Sequence, residues 1–157
     1  MRRFSDQDNF GAVHTLLTQC FAYMEGRIDP PSSLNRLTAA GLRALSECSE
    51  IWVIEEGQVP VACMVLTPKV DTLYLGKLAV SPLYRNTGLA RKMTDQALRR
   101  ARILNFESIT LQTRVELVEN HAAFASLGFR KTSEAAHPGY NRITEVTMMQ
   151  DVVPDGA

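Results

Sequence analysis

The chain has 157 residues, with 17 Lys and Arg set against 17 Asp and Glu, 45% apolar residues and 22% charged ones. That length and balance fit one domain with its own apolar core, and zero net charge gives no electrostatic case for nucleic acid or an anionic membrane as partner. Three cysteines without metal-ligand spacing, Cys20, Cys48 and Cys63, read as reduced, small apolar residues.

Met1 to Phe4 is an expected first strand. Ser5 and Asp8 form a Ser-x-x-Asp capping pattern. Phe10, Val13, Leu17, Cys20, Phe21 and Met24 then recur at spacings of three and four, one apolar helix face. Pro30 and Pro31 forbid helix between Gly26 and Ser33, after which Ser33 or Thr38 can cap a second helix through Leu37, Leu42 and Leu45. His14 reads as a core or boundary residue of the first helix, and Trp52 as a core residue. Ile51 to Glu55 and Val59 to Thr67 read as a hairpin around Glu56-Gly57-Gln58, and Thr72 to Val80 as the next strand. A long helix follows Gly88, its face set by Leu89, Met93, Ala97, Ala101 and Leu104. Arg99, Arg100 and Arg102 read as its solvated side. Ile109 to Thr113 is a strand, Asn120 to Leu127 a short helix stopped by Gly128, and Phe129 to Thr132 and Ile143 to Met149 are closing strands. The pattern predicts a single α/β (α+β) domain, 1–150, with a mixed central sheet flanked by helices, and a frayed C-terminal tail, 151–157. No run of about 18 apolar residues spans a membrane, and the N-terminus turns polar too early for a signal peptide; the expected location is cytoplasmic.

The chemistry concentrates where the third long strand passes through Arg85-Asn86-Thr87-Gly88-Leu89-Ala90 into the long helix. A helix N-terminus offers free N–H groups and partial positive charge, so a tight loop there can hold a phosphate. Gly88 permits the turn, Ala90 keeps the first turn small, and Arg85 and Arg91 add cations. Alone, the pattern fits an ordinary tight turn equally well. It is neither GxGxxG nor GxxxxGK[ST].

In context, Arg85-x-x-Gly88-x-Ala90 resembles the core signature of the GCN5-related N-acetyltransferase (GNAT) family. Leu78-Ala79-Val80-Ser81-Pro82 resembles that family's approach to the loop, and the stretch from Asn120 to Leu127-Gly128-Phe129 resembles its second signature. The resemblance implies splayed parallel strands that hold acetyl-CoA, with no metal. Backbone of Leu78, Ala79 and Val80 would face the pantetheine arm, the amides of Asn86, Thr87, Gly88, Leu89 and Ala90 the pyrophosphate, and Asn120 the cofactor's arm or its thioester end, with Phe124 also in the cofactor site. A helix-cap role for Asn120 stays open.

Acyl transfer to an amine needs a neutral amine, and an alkyl ammonium with a pKa of about 10.4 must lose its proton first. Many relatives use a carboxylate on the strand before the loop; here that stretch reads Gly76-Lys77-Leu78. Glu116 is the first candidate base, with Glu119 and His137 behind it. In the resemblance Phe124 aligns with the proton-donating tyrosine of many relatives; Tyr140 or Tyr84 could replace it, or the thiol, with a pKa of about 8.5, could leave as thiolate. The acceptor site is expected from Phe21 to Ser33 and Glu134 to Arg142, with Tyr23, Arg27, His137 and Tyr140 as contacts. The expected activity is acetyl-CoA-dependent N-acetylation of a small-molecule or peptide amine by direct attack; a non-catalytic acyl-CoA-binding module is the alternative. Relatives are often dimers, so a homodimer is among the expectations.

Overall fold

The computed structural model describes residues 1–154; the last three residues of the expected tail lie outside the described residues. Seven strands form one sheet: β1 (Arg2–Arg3), β2 (Glu50–Glu56), β3 (Val59–Pro68), β4 (Leu73–Val80), β5 (Ser108–Arg114), β6 (Arg130–Ala135) and β7 (Glu145–Asp151). Their order across the sheet is β1-β2-β3-β4-β5-β7-β6. Only β4 and β5 run parallel; every other neighbouring pair is antiparallel. The helices are α1 (Phe10–Phe21), α2 (Ala39–Leu45), α3 (Leu89–Ile103) and α4 (Val118–Ser126). None among the described residues is long and apolar enough to cross a membrane.

Helices cover both faces of the sheet. On one, Phe10, Val13, Leu16, Leu17 and Cys20 of α1 and Leu42 of α2 bury against Ile51, Val53, Cys63, Val65 and Ala79. On the other, Met93, Ala97 and Ala101 of α3 bury against Met64, Leu66, Leu73, Leu75, Ile109 and Leu111. β3 lies between the two layers, which is why residues 60–66 are buried without the alternation of a one-sided strand.

The first helix starts later than its capping pattern suggests. Ser5 N–H donates to Asp8 Oδ2 at 2.8 Å, but this closes a turn ahead of the helix. Asn9 is the cap, its Oδ1 accepting from Ala12 N at 3.2 Å. Thr38 caps α2, and Ser32 caps a 3-10 turn over Ser33–Arg36. His14 is half-buried, its Nε2 2.8 Å from Leu37 O. At the other end β7 runs through Asp151, and Val152 N–H donates to Glu107 O at 2.9 Å, so fraying does not begin at Asp151.

Two features of β4 create the site. It pairs with β5 only at Leu73↔Ile109 and Tyr74↔Thr110. Beyond them β5 follows β7 along its whole length, while β4 follows β3. Opposite Met64, β4 also carries an extra residue, so Lys77 and Leu78 face one partner. Lys77 takes φ 52°. Such a bulge bends a strand and shifts its side-chain alternation by one. Accordingly Leu73 and Leu75 before it, and Leu78 and Val80 after it, all pack on the α3 side, while Ala79 packs on the α1 side.

Arg100 does not belong to a solvated face. Its Nε and a terminal nitrogen donate to Glu50 Oε1 and Oε2, each at 2.7 Å. Trp52 Nε1 donates to Oε1 at 2.9 Å, its ring half-buried against the core. Burial pushes the Glu50 carboxyl up, and Arg100 with Trp52 outweighs that push, leaving it below its ordinary value of 4.5. A depressed carboxyl stabilises the fold above its unfolded pKa and loses that contribution as pH falls through the folded one. Glu50→Ala should cost about 3 kcal/mol at pH 7, because it strands a largely buried guanidinium. The deficit relative to wild type should shrink below about pH 4; thermal melts across that range measure both effects.

Candidate active site

The loop between β4 and α3 turns tightly into the N-terminus of the helix. Pro82–Tyr84 makes one 3-10 turn, and Asn86 and Gly88 then adopt φ 63° and 87°. The Thr87 hydroxyl donates to Tyr84 O and holds the loop closed. Gly88 is the N-cap of α3 and supplies no side-chain bond to its first turn. The first free amides of the helix therefore point into the loop. A Cβ placed on Gly88 meets nothing within 4 Å, so glycine serves the left-handed backbone and leaves open space above it. Arg85 is exposed at the rim. Arg91 instead donates to Ser126 O at 2.9 Å and ties α3 to α4.

From this loop a groove of about 550 Å³ runs along Leu78, Ala79 and Val80, between Arg85 at one end and Asn120 at the other. It adjoins a cavity of about 350 Å³ where the strands part, with Gly76, Lys77 and Leu78 on one wall and Leu111 to Arg114 on the other. Leu78, Phe21 and Asn120 border both spaces. Leu78, Ala79, Val80, Arg85 and Asn120 thus line one groove, and Phe124 lines the inner cavity.

Asn120 is not a cap; Leu117 holds that position and makes no side-chain bond. Asn120 Nδ2 donates instead to Tyr23 Oη at 3.0 Å. Tyr23 reaches over from the end of α1, and Arg27 lies 5.7 Å above its ring, paired with Glu119 at 2.6 Å. Phe124, one turn beyond Asn120, stacks edge-on against Phe129 at 6.2 Å. Cys20 and Cys63 are buried and free. Burial pushes both thiols up, away from the thiolate a nucleophile needs.

Glu116 and Tyr140 have a different occupation from the one expected of catalytic groups. Tyr140 Oη donates to Asp29 Oδ1 at 2.7 Å, and Arg142 donates to Asp29 O at 3.0 Å and Oδ2 at 3.2 Å. Glu116 Oε2 accepts the Asp29 N–H at 3.0 Å, and its buried Oε1 has no partner among the described residues. Arg114 donates to Pro30 O at 2.7 Å and to Pro31 O at 3.3 Å. Together these fasten the proline segment over the cavity, which neither Glu116 nor Tyr140 lines. His137 does line it, with Nδ1 bonded to the Thr144 hydroxyl and Nε2 3.8 Å from Glu145 Oε2.

Four ionisable lining residues stood outside the expected site set: Tyr74, Lys77, Arg114 and Glu145. Burial, then the Glu145 charge, raise the Tyr74 phenol. Burial lowers the Lys77 ammonium. The bulge decides how residues beyond Gly76 are presented, and a strand pattern alone does not announce it.

A model of the acetyltransferase (GNAT) family matches residues 10–129. The chain belongs to that family. It is 26% identical over 105 residues to N-acetyltransferase 8B of Mus musculus, covering 63% of this chain and 45% of that protein. It therefore spans under half the length of that curated relative. An acetyltransferase from Streptococcus agalactiae has a TM-score of 0.74 at 16% identity, covering 96% of both chains. A GNAT acetyltransferase from Elizabethkingia anophelis with acetyl-CoA bound has a TM-score of 0.61 at 14% identity, covering 88% of this chain and 89% of that one.

The network on Asp29 has a spectroscopic signature. Its bond to Asp29 raises the Tyr140 phenol above the ordinary 10. Asp29→Ala should bring that titration back toward 10 and speed exchange of the residue 29 and Ser32 amides, with little change in melting temperature. An unchanged Tyr140 titration would show that the bond is not formed in solution.

Proposed function

We propose that this chain transfers an acyl group, acetyl first among them, from coenzyme A to an amine by direct attack, without a covalent enzyme intermediate. The observation that carries the reading is the continuous path from the Gly88-capped loop, along β4, into the gap between β4 and β5. The residues fit the group. Beyond Tyr74, β4 has no partner on its β5 side, so its backbone is free to pair with an amide-bearing arm. The amides of Asn86 to Ala90, with Arg85 at the rim, suit a pyrophosphate. The acetyl-CoA held by the Elizabethkingia neighbour supports the same cofactor class. Bound here, an acyl-CoA would supply the activated thioester.

The remaining roles belong to side chains of the gap. The β4 backbone at the bulge would donate to a thioester carbonyl. Asn120 donates to Tyr23 Oη, which leaves the phenol's own proton free. Tyr23 thereby offers a proton to a departing sulfur from across the groove, where Phe124 has none to give. His137, with the Glu145 carboxylate 3.8 Å behind it, is the base that lines the cavity. Glu116 and Tyr140 act as loop holders. Buried, protonated thiols at Cys20 and Cys63 support direct attack over an acyl-cysteine.

Release of CoA thiol from acetyl-CoA, screened over amines, amino acids and peptides, tests this reading. At least one acceptor should be turned over; binding of acetyl-CoA with no turnover of any acceptor would instead mark a non-catalytic binding module. Tyr23→Phe should lower kcat about 100-fold, the lower end for general-acid catalysis, with acetyl-CoA affinity retained. An unchanged kcat would remove Tyr23 from the mechanism.

A further inference from the structure

Every charged group around the cavity has a partner except one. Arg114 is committed to the carbonyls of Pro30 and Pro31. Arg27 pairs with Glu119, Arg142 with Asp29, and His137 faces Glu145. Lys77 lines the cavity half-buried, and its ammonium makes no ion pair or hydrogen bond among the described residues. Burial already disfavours its charge, and the φ of 52° strains any residue that has a Cβ. A desolvated cation without a counter-ion is unfavourable until an anion joins it.

The opposite wall carries the Glu145 carboxylate. The gap is therefore polarised, positive at β4 and negative at β7. Beside it, under the segment that follows α1, lies a second cavity of about 620 Å³. The two share Phe21, Met24, Ile28, Ser32 and Leu34; Leu17 and Leu37 extend the apolar wall of the second, whose lining also carries His14, Thr18, Glu25 and Asn35.

We infer that the acceptor is a free α-amino acid with an apolar side chain, its carboxylate on Lys77 and its side chain in the adjoining cavity. This rests on the acyl-transfer reading above. The geometry suits a molecule whose amine and anion share one carbon: with the carboxylate at Lys77, the amine lies next to the bulge, on the side facing His137 and Glu145. A simple amine could use the Glu145 side but would leave the Lys77 ammonium without an anion. A phosphorylated acceptor fits less well, because one ammonium without an arginine fork or a nest of amides is a poor phosphate receptor.

Leucine, leucinamide and 3-methylbutylamine share one side chain and differ at the carboxylate. With acetyl-CoA, wild type should turn over leucine with kcat/KM about 30-fold or more above the other two, the lower end expected when a charge loses its partner. Lys77→Met should bring the three within a few-fold of one another, chiefly through KM for leucine, and Lys77→Arg should restore part of the preference. Equal use of all three by wild type, or an unchanged preference in Lys77→Met, would overturn the inference. A second readout needs no turnover: in the presence of CoA, N-acetyl-leucine should bind wild type in a calorimetric titration and fail to bind Lys77→Met. Absent or equal binding would likewise overturn it. Loss of acetyl-CoA binding itself would strike the acyl-transfer reading instead, so the two failures are distinguishable.

Discussion

Two neighbouring parallel strands that pair at only two positions leave the middle of a seven-stranded sheet with backbone that has no partner. Unpaired backbone inside a fold is costly unless something else pairs with it. Here the shortfall lies on the two facing edges, β4 beyond Tyr74 and β5 beyond Thr110. The fold keeps the gap open by giving each strand a different companion: β3 holds β4, and β7 holds β5 for its full length. The Thr72 and Ser108 hydroxyls pin the base of the gap, Thr72 Oγ1 donating to Ser108 O and Ser108 Oγ to Thr72 Oγ1, each at 2.9 Å. The bulge at Lys77 then bends β4 away.

The rest of the site depends on that parting. The Gly88 loop stands at one end of the groove it opens, and Asn120 with Tyr23 at the other. The proline segment roofs the inner cavity, held by contacts from β5, the turn after it, and the strand connection that carries Tyr140 and Arg142. Most of those contacts are exposed and individually weak; what they supply is position. By contrast, the Glu50–Arg100 pair is largely buried and fastens α3, the helix that follows the Gly88 loop, to β2 on the far side of the sheet from the gap.

Much of this was legible in the sequence. The apolar spacing of α1 and α3, the Glu56-Gly57-Gln58 turn, and the Arg85-x-x-Gly88-x-Ala90 loop gave the order of elements and the place of the groove beside that loop. The resemblance to the acetyltransferases gave the splayed strands. What the sequence concealed came from contacts distant along the chain. Glu116 looked like a base because it follows a strand end, yet it serves Asp29, 87 residues away. Asn120 looked like a cap because asparagine favours caps, yet it bonds Tyr23, 97 residues away. Arg100 looked solvated because its neighbours are charged, yet its partner is Glu50. Lys77 was visible only as the lack of a carboxylate; its meaning depends on a bulge set by pairing with β3.

The claim that the gap receives an acyl-CoA is tested most directly by calorimetric titration of the purified protein with acetyl-CoA, beside the Gly88→Val variant. A β-branched residue strains the left-handed backbone that shapes the cradle by about 1–2 kcal/mol. The account predicts binding to the wild type at micromolar concentrations or tighter, weakened about tenfold in the variant. No binding by the wild type, or equal binding by both proteins, would contradict it.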